Sequence, residues 1–372
     1  KEAVQALERG GLFAFGLSEK EHGSDVYGSE MIVDDSTPSS FKASGEKYYI
    51  GNANCAEIIS VLGVKKSLRD SKDKNKFMFF AYRPKDNPTF KNVKKIPTMG
   101  VKTAFVGAFG IENHAFPAGD VISEGRDAWD AIFGTVNLGK FFLGFGSIGI
   151  CQRALEETLA HVKSRILYGR PAYEMPHIRR ILDRAEIKLA NMRLYSQRAL
   201  DYLIRSSDED RRYLLYNSVQ KAKVSTEGVQ IMHLLSECMG AKGFETETYF
   251  ESAFRDVHLI PGLEGSTHIN HLITNAFSRN YFFSADREMH PPEHGCSGEN
   301  EYLFRARSGG VSKVSFAKLS DSFAPIRHAQ NVSLFLKQVR RYRLFLLTLR
   351  FKKATDAESD LFISTGKVLS QI

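Results

Sequence analysis

The chain has 372 residues, 42% of them hydrophobic and 25% charged, with a formal net charge of +8. Those values describe a globular protein long enough for two or three domains. No run reaches the roughly 18 uninterrupted apolar residues of a membrane span. The cysteines Cys55, Cys151, Cys238 and Cys296 stand far apart, which excludes a CxxC zinc site or a disulfide framework and points to a reducing compartment. The positive charge suits an anionic ligand, and no nucleic-acid motif accompanies it.

Lys1 to Gly10 reads as the end of a helix, with Val4, Leu7 and Ala3 on one face and Gly10-Gly11 as its stop. The chain is therefore expected to begin inside something larger, with residues 1–11 as a remnant of it. From Leu12 to about Ile122 the pattern is strand-like. Leu12–Phe15, Glu57–Val64 and Phe77–Tyr82 alternate with turn material at Asp35–Ser40, Gly45-Glu46 and Arg83–Pro88. No helical stretch intervenes, so residues 12–125 are expected to form a β-sandwich or barrel-like domain.

From Arg126 to Phe282 the period becomes helical. Ile178, Leu182, Ala185, Leu189, Met192, Ala199 and Leu203 share one stripe, as do Cys151, Leu155, Thr158, Leu159 and Val162. Pro171 and Pro176 bracket one loop and Ser206–Asp210 makes another. An antiparallel four-helix-type bundle over 126–282 follows, giving an α+β multidomain class. A loop, His290–Gly298, then leads into a helical extension, 283–372, whose helices are expected from about Val311. Its 332–353 stretch is basic and amphipathic, with Phe335, Val339, Tyr342, Leu346 and Leu349 on one stripe. That stripe reads as packing on the body of the protein, with a membrane surface or acidic partner as the alternative.

One carboxylate stands out. Glu264 follows Ile260-Pro261-Gly262-Leu263 and precedes Gly265-Ser266, where a helix begins. Apolar surroundings raise a carboxylate's pKa and suit it to general-base work. A surface Glu stabilised at a helix N-terminus is the competing reading. His22 and His268 have no Ser or Cys nucleophile at a recognisable spacing, and His268 lies four residues past Glu264, on the same helical face. Asp34-Asp35 reads as solvated. No metal-ligand spacing is present, so no metal is expected.

Six motifs in order give Glu264 its company. Ala14 to Asp25 (A-F-G-L-S-E-K-E-H-G-S-D) resembles the T-E-x-x-x-G-S-D loop of acyl-CoA dehydrogenases, and Gly45 to Asn52 (G-E-K-Y-Y-I-G-N) resembles their G-x-K-x-W-I-T-N strand. Pro97–Lys102 with Ala115–Val121 and Gly125-Arg126 is similar to the run leaving their β domain. Gln152–Leu155 followed by Ser164–Gly169 resembles the R-x-x-F-G element. Glu237–Phe244 parallels Q-x-x-G-G-x-G, and Arg255-Asp256 with Glu264-Gly265 resembles the R-D…E-G ending. The resemblance covers roughly residues 3 to 282.

That resemblance implies a helical domain, a β domain and a second helical domain, with FAD bound between the last two and most of the first absent here. It implies removal of an α-proton from an acyl-CoA and passage of the β-hydride to the flavin, leaving a trans-2-enoyl-CoA. Glu264 matches the base, and its backbone N–H would help to bind the enolate oxygen. The position that carries the base in some branches matches Gly139. Ser18, Ser24, Tyr49, Gly51, Arg165, Tyr168, Glu237, Gly240 and Ser266 match cofactor positions, Arg165 through charge-assisted bonds to pyrophosphate. Gly23, Ser24, Lys140, Arg255 and Gly265 match the substrate side, Arg255 by pairing with a carboxylate near the base.

Tyr49 replaces the family's Trp, Gly51 its Thr, and Glu237 its Gln, the last placing like charge beside a pyrophosphate. The implied acceptor is an electron-transfer flavoprotein and the implied assembly a homodimer or homotetramer. No nucleic acid is expected. The compartment is cytoplasmic if the source is bacterial, mitochondrial matrix if eukaryotic, and the protein is not secreted. An acyl-CoA oxidase using oxygen and a non-catalytic acyl-CoA-binding relative remain as alternatives.

Overall fold

A computed structural model describes residues 2–286, 289–295, 300–304, 314–349 and 359–372. Cys296, Val311 and residues 350–353 lie outside them. The chain divides into two compact units, the first running to Val136 and the second from Asn137, so the division falls inside a helix.

In the first unit, α1 (Glu2–Glu8) precedes β1 (Phe13–Gly16), β2 (Ile32–Thr37), β3 (Ser40–Gly51), β4 (Ile58–Lys65), β5 (Phe77–Tyr82), β6 (Phe90–Lys95), β7 (Val106–Pro117) and β8 (Val121–Glu124). They form one eight-stranded sheet in the order β6-β7-β3-β2-β4-β5-β8, with β1 paired to β4. The sheet is mixed, because β1 and β2 run parallel to β4 along successive stretches of it while the other pairs are antiparallel. β4 reads I-I-S-V-L-G-V-K, nearly apolar throughout, because both its faces are covered. Ile59 and Val61 join Met78, Phe80 and Tyr82 on one face. Leu62, Val64, Phe77 and Phe79 pack on the other against Ala128, Trp129 and Ile132 of α2 (Gly125–Ser164).

Two expectations for this unit change. Val4 and Leu7 are exposed and Ala6 is the buried residue of α1. Asp34 and Asp35 are not simply solvated: Asp34 accepts from Lys66 Nζ at 3.1 Å and Asp35 from the Ser67 N–H at 3.1 Å.

The second unit continues α2 and adds a short hairpin, β9 (Ile166–Leu167) and β10 (Arg170–Pro171), before α3 (Pro176–Ile204). Pro176 occupies the first turn of α3, where its missing N–H costs nothing. α4 (Tyr213–Val219) runs through a π turn at Gln220–Val224 into α5 (Ser225–Met239), followed by α6 (Tyr249–Leu259), α7 (Thr267–Ala276) and α8 (Ser278–Phe283). Ile178, Leu182, Ala185, Leu189 and Met192 of α3 meet Cys151, Ala154, Leu155 and Val162 of α2 in one core, so the 3.6-residue spacing does mark the buried stripe. One stretch of α2 is long and apolar enough to cross a bilayer, contrary to the composition-based exclusion; the same helix supplies this core.

Two short strands, β11 (Ala285–Asp286) and β12 (Phe316–Ala317), pair in parallel, followed by α9 (Leu319–Ser322), α10 (Gln330–Leu349) and α11 (Ser359–Leu369). Val339, Leu346 and Leu349 of α10 are buried with Leu215, Val219, Phe277 and Phe282, and Phe335 and Tyr342 pack beside them. The apolar stripe of α10 thus faces the body of this unit. α11 crosses α7 closely enough that a β-carbon on Gly366 would overlap the His271 carbonyl.

Candidate active site

The turn Ile260–Gly262 ends α6, and Ser266 caps α7 by accepting from the Ile269 N–H at 3.4 Å. Between them Glu264 and Gly265 take φ values of 49° and 81°. Two consecutive left-handed residues reverse the chain, and Gly265 adopts that conformation without the steric cost a side chain brings. Asn270 clamps the turn from inside α7, its Nδ2 donating to Gly265 O at 2.9 Å and Ser266 O at 3.0 Å. Because Glu264 lies outside α7, it shares no helical face with His268, as the spacing had suggested. Its backbone N–H donates to no acceptor among the described residues.

The side chain returns to α2. A β-carbon built on Gly139 would lie 3.1 Å from the Glu264 carboxyl carbon. Glu264 keeps solvent access, yet the protein packed about its carboxyl raises its pKa by desolvation, opposed first by Lys140 and then by Lys221. Lys140 is 5% exposed and Lys221 fully buried. Desolvation brings each down to about 8. Lys221 Nζ donates to Pro261 O at 3.0 Å, bracing the turn ahead of the base. A carboxylate whose pKa desolvation raises against the pull of two buried cations has the character of a general base.

Sequence reasoning missed Lys221 and Asn270. A lysine inside the buried helical run Asn217–Ser225 was the available signal for the first. Nothing local marked the second. The loop was recognised, and Gly139, singled out by its matching position, lies against the Glu264 carboxyl. Arg255 pairs with Glu251, its Nε and Nη2 bonding that carboxylate at 2.5 and 2.9 Å as an i,i+4 pair on α6. Ser266 is engaged as a helix cap. The other matched residues fall in separate places within each unit.

In the first unit the Tyr48 N–H donates to Ser18 O at 2.9 Å, setting Ser18 beside the end of β3. Tyr49, at a bulge there with φ 62°, is 58% exposed, and a β-carbon on Gly51 would meet nothing within 4 Å. Gly23 and Ser24 are exposed in the preceding loop. In the second unit Arg165 Nη1 would lie 3.3 Å from a β-carbon on Gly240, so these two come together at the end of α5. Tyr168, at the tip of the β9–β10 hairpin, is 97% exposed. Within the first unit the exposed Tyr49 ring and the open space at Gly51 suit a flat heteroaromatic, and within the second the exposed Arg165 guanidinium suits a phosphate. Glu237, exposed one turn before Gly240, is the residue that fits it least.

Residues 127–277 match the acyl-CoA dehydrogenase C-terminal domain. A probable acyl-CoA dehydrogenase of Bacillus subtilis is 24% identical over 70% of this chain and 67% of its own length. The short-chain-specific enzyme of Megasphaera elsdenii is 22% identical over 73% and 69%. Among solved structures, a probable acyl-CoA dehydrogenase from Mycobacterium abscessus has a TM-score of 0.68 at 15% identity, over 73% of this chain and 70% of that one. The fold is accordingly α+β, with a mixed sheet and a helical C-terminal region. Residues 127–277 thus resemble the acyl-CoA dehydrogenase family, whose members are FAD-dependent.

Proposed function

We propose that this protein dehydrogenates an acyl-CoA thioester between its α and β carbons, with Glu264 as the base. The observation that carries the reading is the Glu264 carboxyl, set against Gly139 with a desolvation-raised pKa. Glu264 takes the α-proton onto a carboxylate oxygen. Its unengaged N–H donates to the thioester oxygen as negative charge develops there. Lys221 and Asn270 hold the turn so that both groups of one residue face the reacting carbon. Bound FAD would supply the hydride acceptor. Arg165 would hold its pyrophosphate, and Ser18, Ser24, Tyr49 and Gly51 its ring system. An electron-transfer flavoprotein as acceptor, a homodimer or homotetramer as assembly, and the bacterial cytoplasm or mitochondrial matrix as compartment complete the proposal.

The test is spectroscopic. Purified protein should carry a flavin absorption band that bleaches anaerobically when butyryl-CoA or octanoyl-CoA is added. A flavin band indifferent to every acyl-CoA would favour the binding-only alternative. Sustained peroxide formation without an added acceptor would favour the oxidase.

A further inference from the structure

Two histidines from neighbouring helices of the second unit meet at its surface. His233 of α5 and His258 of α6 bring their Nε2 atoms to 3.2 Å, although 25 residues separate them in the chain. No sequence spacing reveals such a pair. The helices beneath are held together, since Ile231, Leu235 and Cys238 of α5 share a buried core with Phe250, Ala253 and Val257 of α6. Phe254 packs against both rings, edge-on to His233 with centroids 5.4 Å apart and tilted against His258 at 4.4 Å.

The partners fix where the protons sit. His258 Nδ1 stands 2.5 Å from the Phe254 carbonyl oxygen, which only accepts, so Nδ1 carries the ring proton and Nε2 the lone pair. Metal-ligating histidines are oriented in the same way, their far nitrogen donating to a carbonyl or carboxylate. Zinc takes imidazole nitrogens at about 2.0–2.1 Å, and at a tetrahedral angle two of them stand about 3.3–3.4 Å apart. The observed 3.2 Å is within a small ring rotation of that spacing. His233 supplies a second lone pair by carrying its own proton on Nδ1. It is exposed and His258 half-buried, so an aqueous ion reaches the pair and keeps water in its remaining positions.

A cluster in the first unit, Glu19, His22 and Glu30, has its ligand atoms within 4.8 Å of one another but suits a cation less. Glu19 already accepts from Lys47 Nζ at 2.7 Å, from Ser29 Oγ at 2.5 Å and from the Glu30 and Met31 N–H groups. That ammonium would repel a metal ion.

We propose that His233 and His258 form a binding site for a divalent transition-metal ion of the zinc, nickel or copper class, which imidazole suits, and that the bound ion joins α5 to α6.

The experiment is a calorimetric titration of zinc chloride into purified protein freed of metal by dialysis against chelator, at about pH 7.5, above the ordinary histidine pKa. Wild type should bind one zinc ion more than His233→Ala/His258→Ala, and each single variant should lose at least about tenfold in affinity at that site. His22→Ala should bind as wild type does. Copper(II) in place of zinc should give an electron paramagnetic resonance spectrum showing coordinated imidazole nitrogen, and His233→Ala should lose that signature. Equal zinc binding by wild type and His233→Ala overturns the proposal, as does binding lost only in His22→Ala. His233 is exposed, so its replacement leaves the packed core intact and decides the matter even where His258→Ala fails to fold. None of these readouts involves flavin or acyl-CoA, so the result stands apart from the dehydrogenase reading.

Discussion

Glu264 and Gly139 approach so closely that a β-carbon at residue 139 would stand 3.1 Å from the Glu264 carboxyl carbon. One hydrogen in place of a methyl sets where the carboxyl rests. Gly139→Ala should therefore separate stability from activity. Alanine in a helix interior is worth about 0.5–1 kcal/mol over glycine, while a displaced carboxyl loses alignment with its target. Melting temperature should hold or rise while the bleaching rate with acyl-CoA falls about tenfold. Equal bleaching rates would show that the carboxyl has room to spare.

Glu264→Gln should retain flavin and lose about 10²- to 10⁴-fold in kcat, the usual cost of a lost general base. Its stability should move oppositely. A carboxyl whose folded pKa is raised favours the folded state below its unfolded pKa, and that contribution is lost as pH rises through the folded value. At pH 7 the ionised group opposes folding, so Glu264→Gln should melt higher than wild type there, with the gap closing below about pH 4. Calorimetry at the two pH values checks the sign.

Glu19→Gln tests the first unit. Glu19 accepts from Lys47 Nζ at 2.7 Å, with both side chains buried. Removing one partner of such a pair costs about 3–5 kcal/mol because the other charge is left unpaired. The folded pKa of Glu19 is lowered: desolvation raises it, and Lys47, Ser29 and the Glu30 N–H outweigh that. Its stabilising contribution is present above the unfolded pKa and lost as pH falls through the folded value, so the acid unfolding limb of wild type should flatten in Glu19→Gln. Urea melts at neutral and acid pH read both effects.

His271 gives a second acid limb. It is buried, and its pKa is pushed down to about 4, mainly by desolvation and secondarily by Lys367. A depressed histidine stabilises the fold above its unfolded pKa of about 6.5, and that stability is lost as pH falls toward about 4. His271→Gln should lose less stability than wild type between pH 7 and pH 5, measured by urea midpoint.

Gly366→Ala should destabilise by about 1–3 kcal/mol, the cost of overpacking, because the added methyl meets the His271 carbonyl. A melting temperature equal to that of wild type would mean α11 can lift away from α7.

The bundle was legible because helical spacing reports burial directly: Ile178 through Met192 line up whatever they touch. β4 and β5 were legible as apolar runs between turns. Glu264 was legible as a carboxylate among Pro, Gly and Leu. What remained hidden depends on partners distant in the chain. Ser67 engages Asp35 from 32 residues away, and Asn270 reaches back into the turn only once α7 has formed. Val4 and Leu7 share a helical face, but nothing in their spacing says whether another surface meets it. His268 was misjudged for a local reason, since left-handed backbone at Glu264 breaks the periodicity that counting assumes.

That left-handed backbone has a consequence for protein engineering. Glutamate at φ 49° is held where glycine would rest more comfortably, and replacing it by glycine would also clear the space beside residue 139. A library screened for heat resistance alone would thus be expected to drift toward Glu264→Gly together with Gly139→Ala, enriching sturdier molecules that had given up their reactive group.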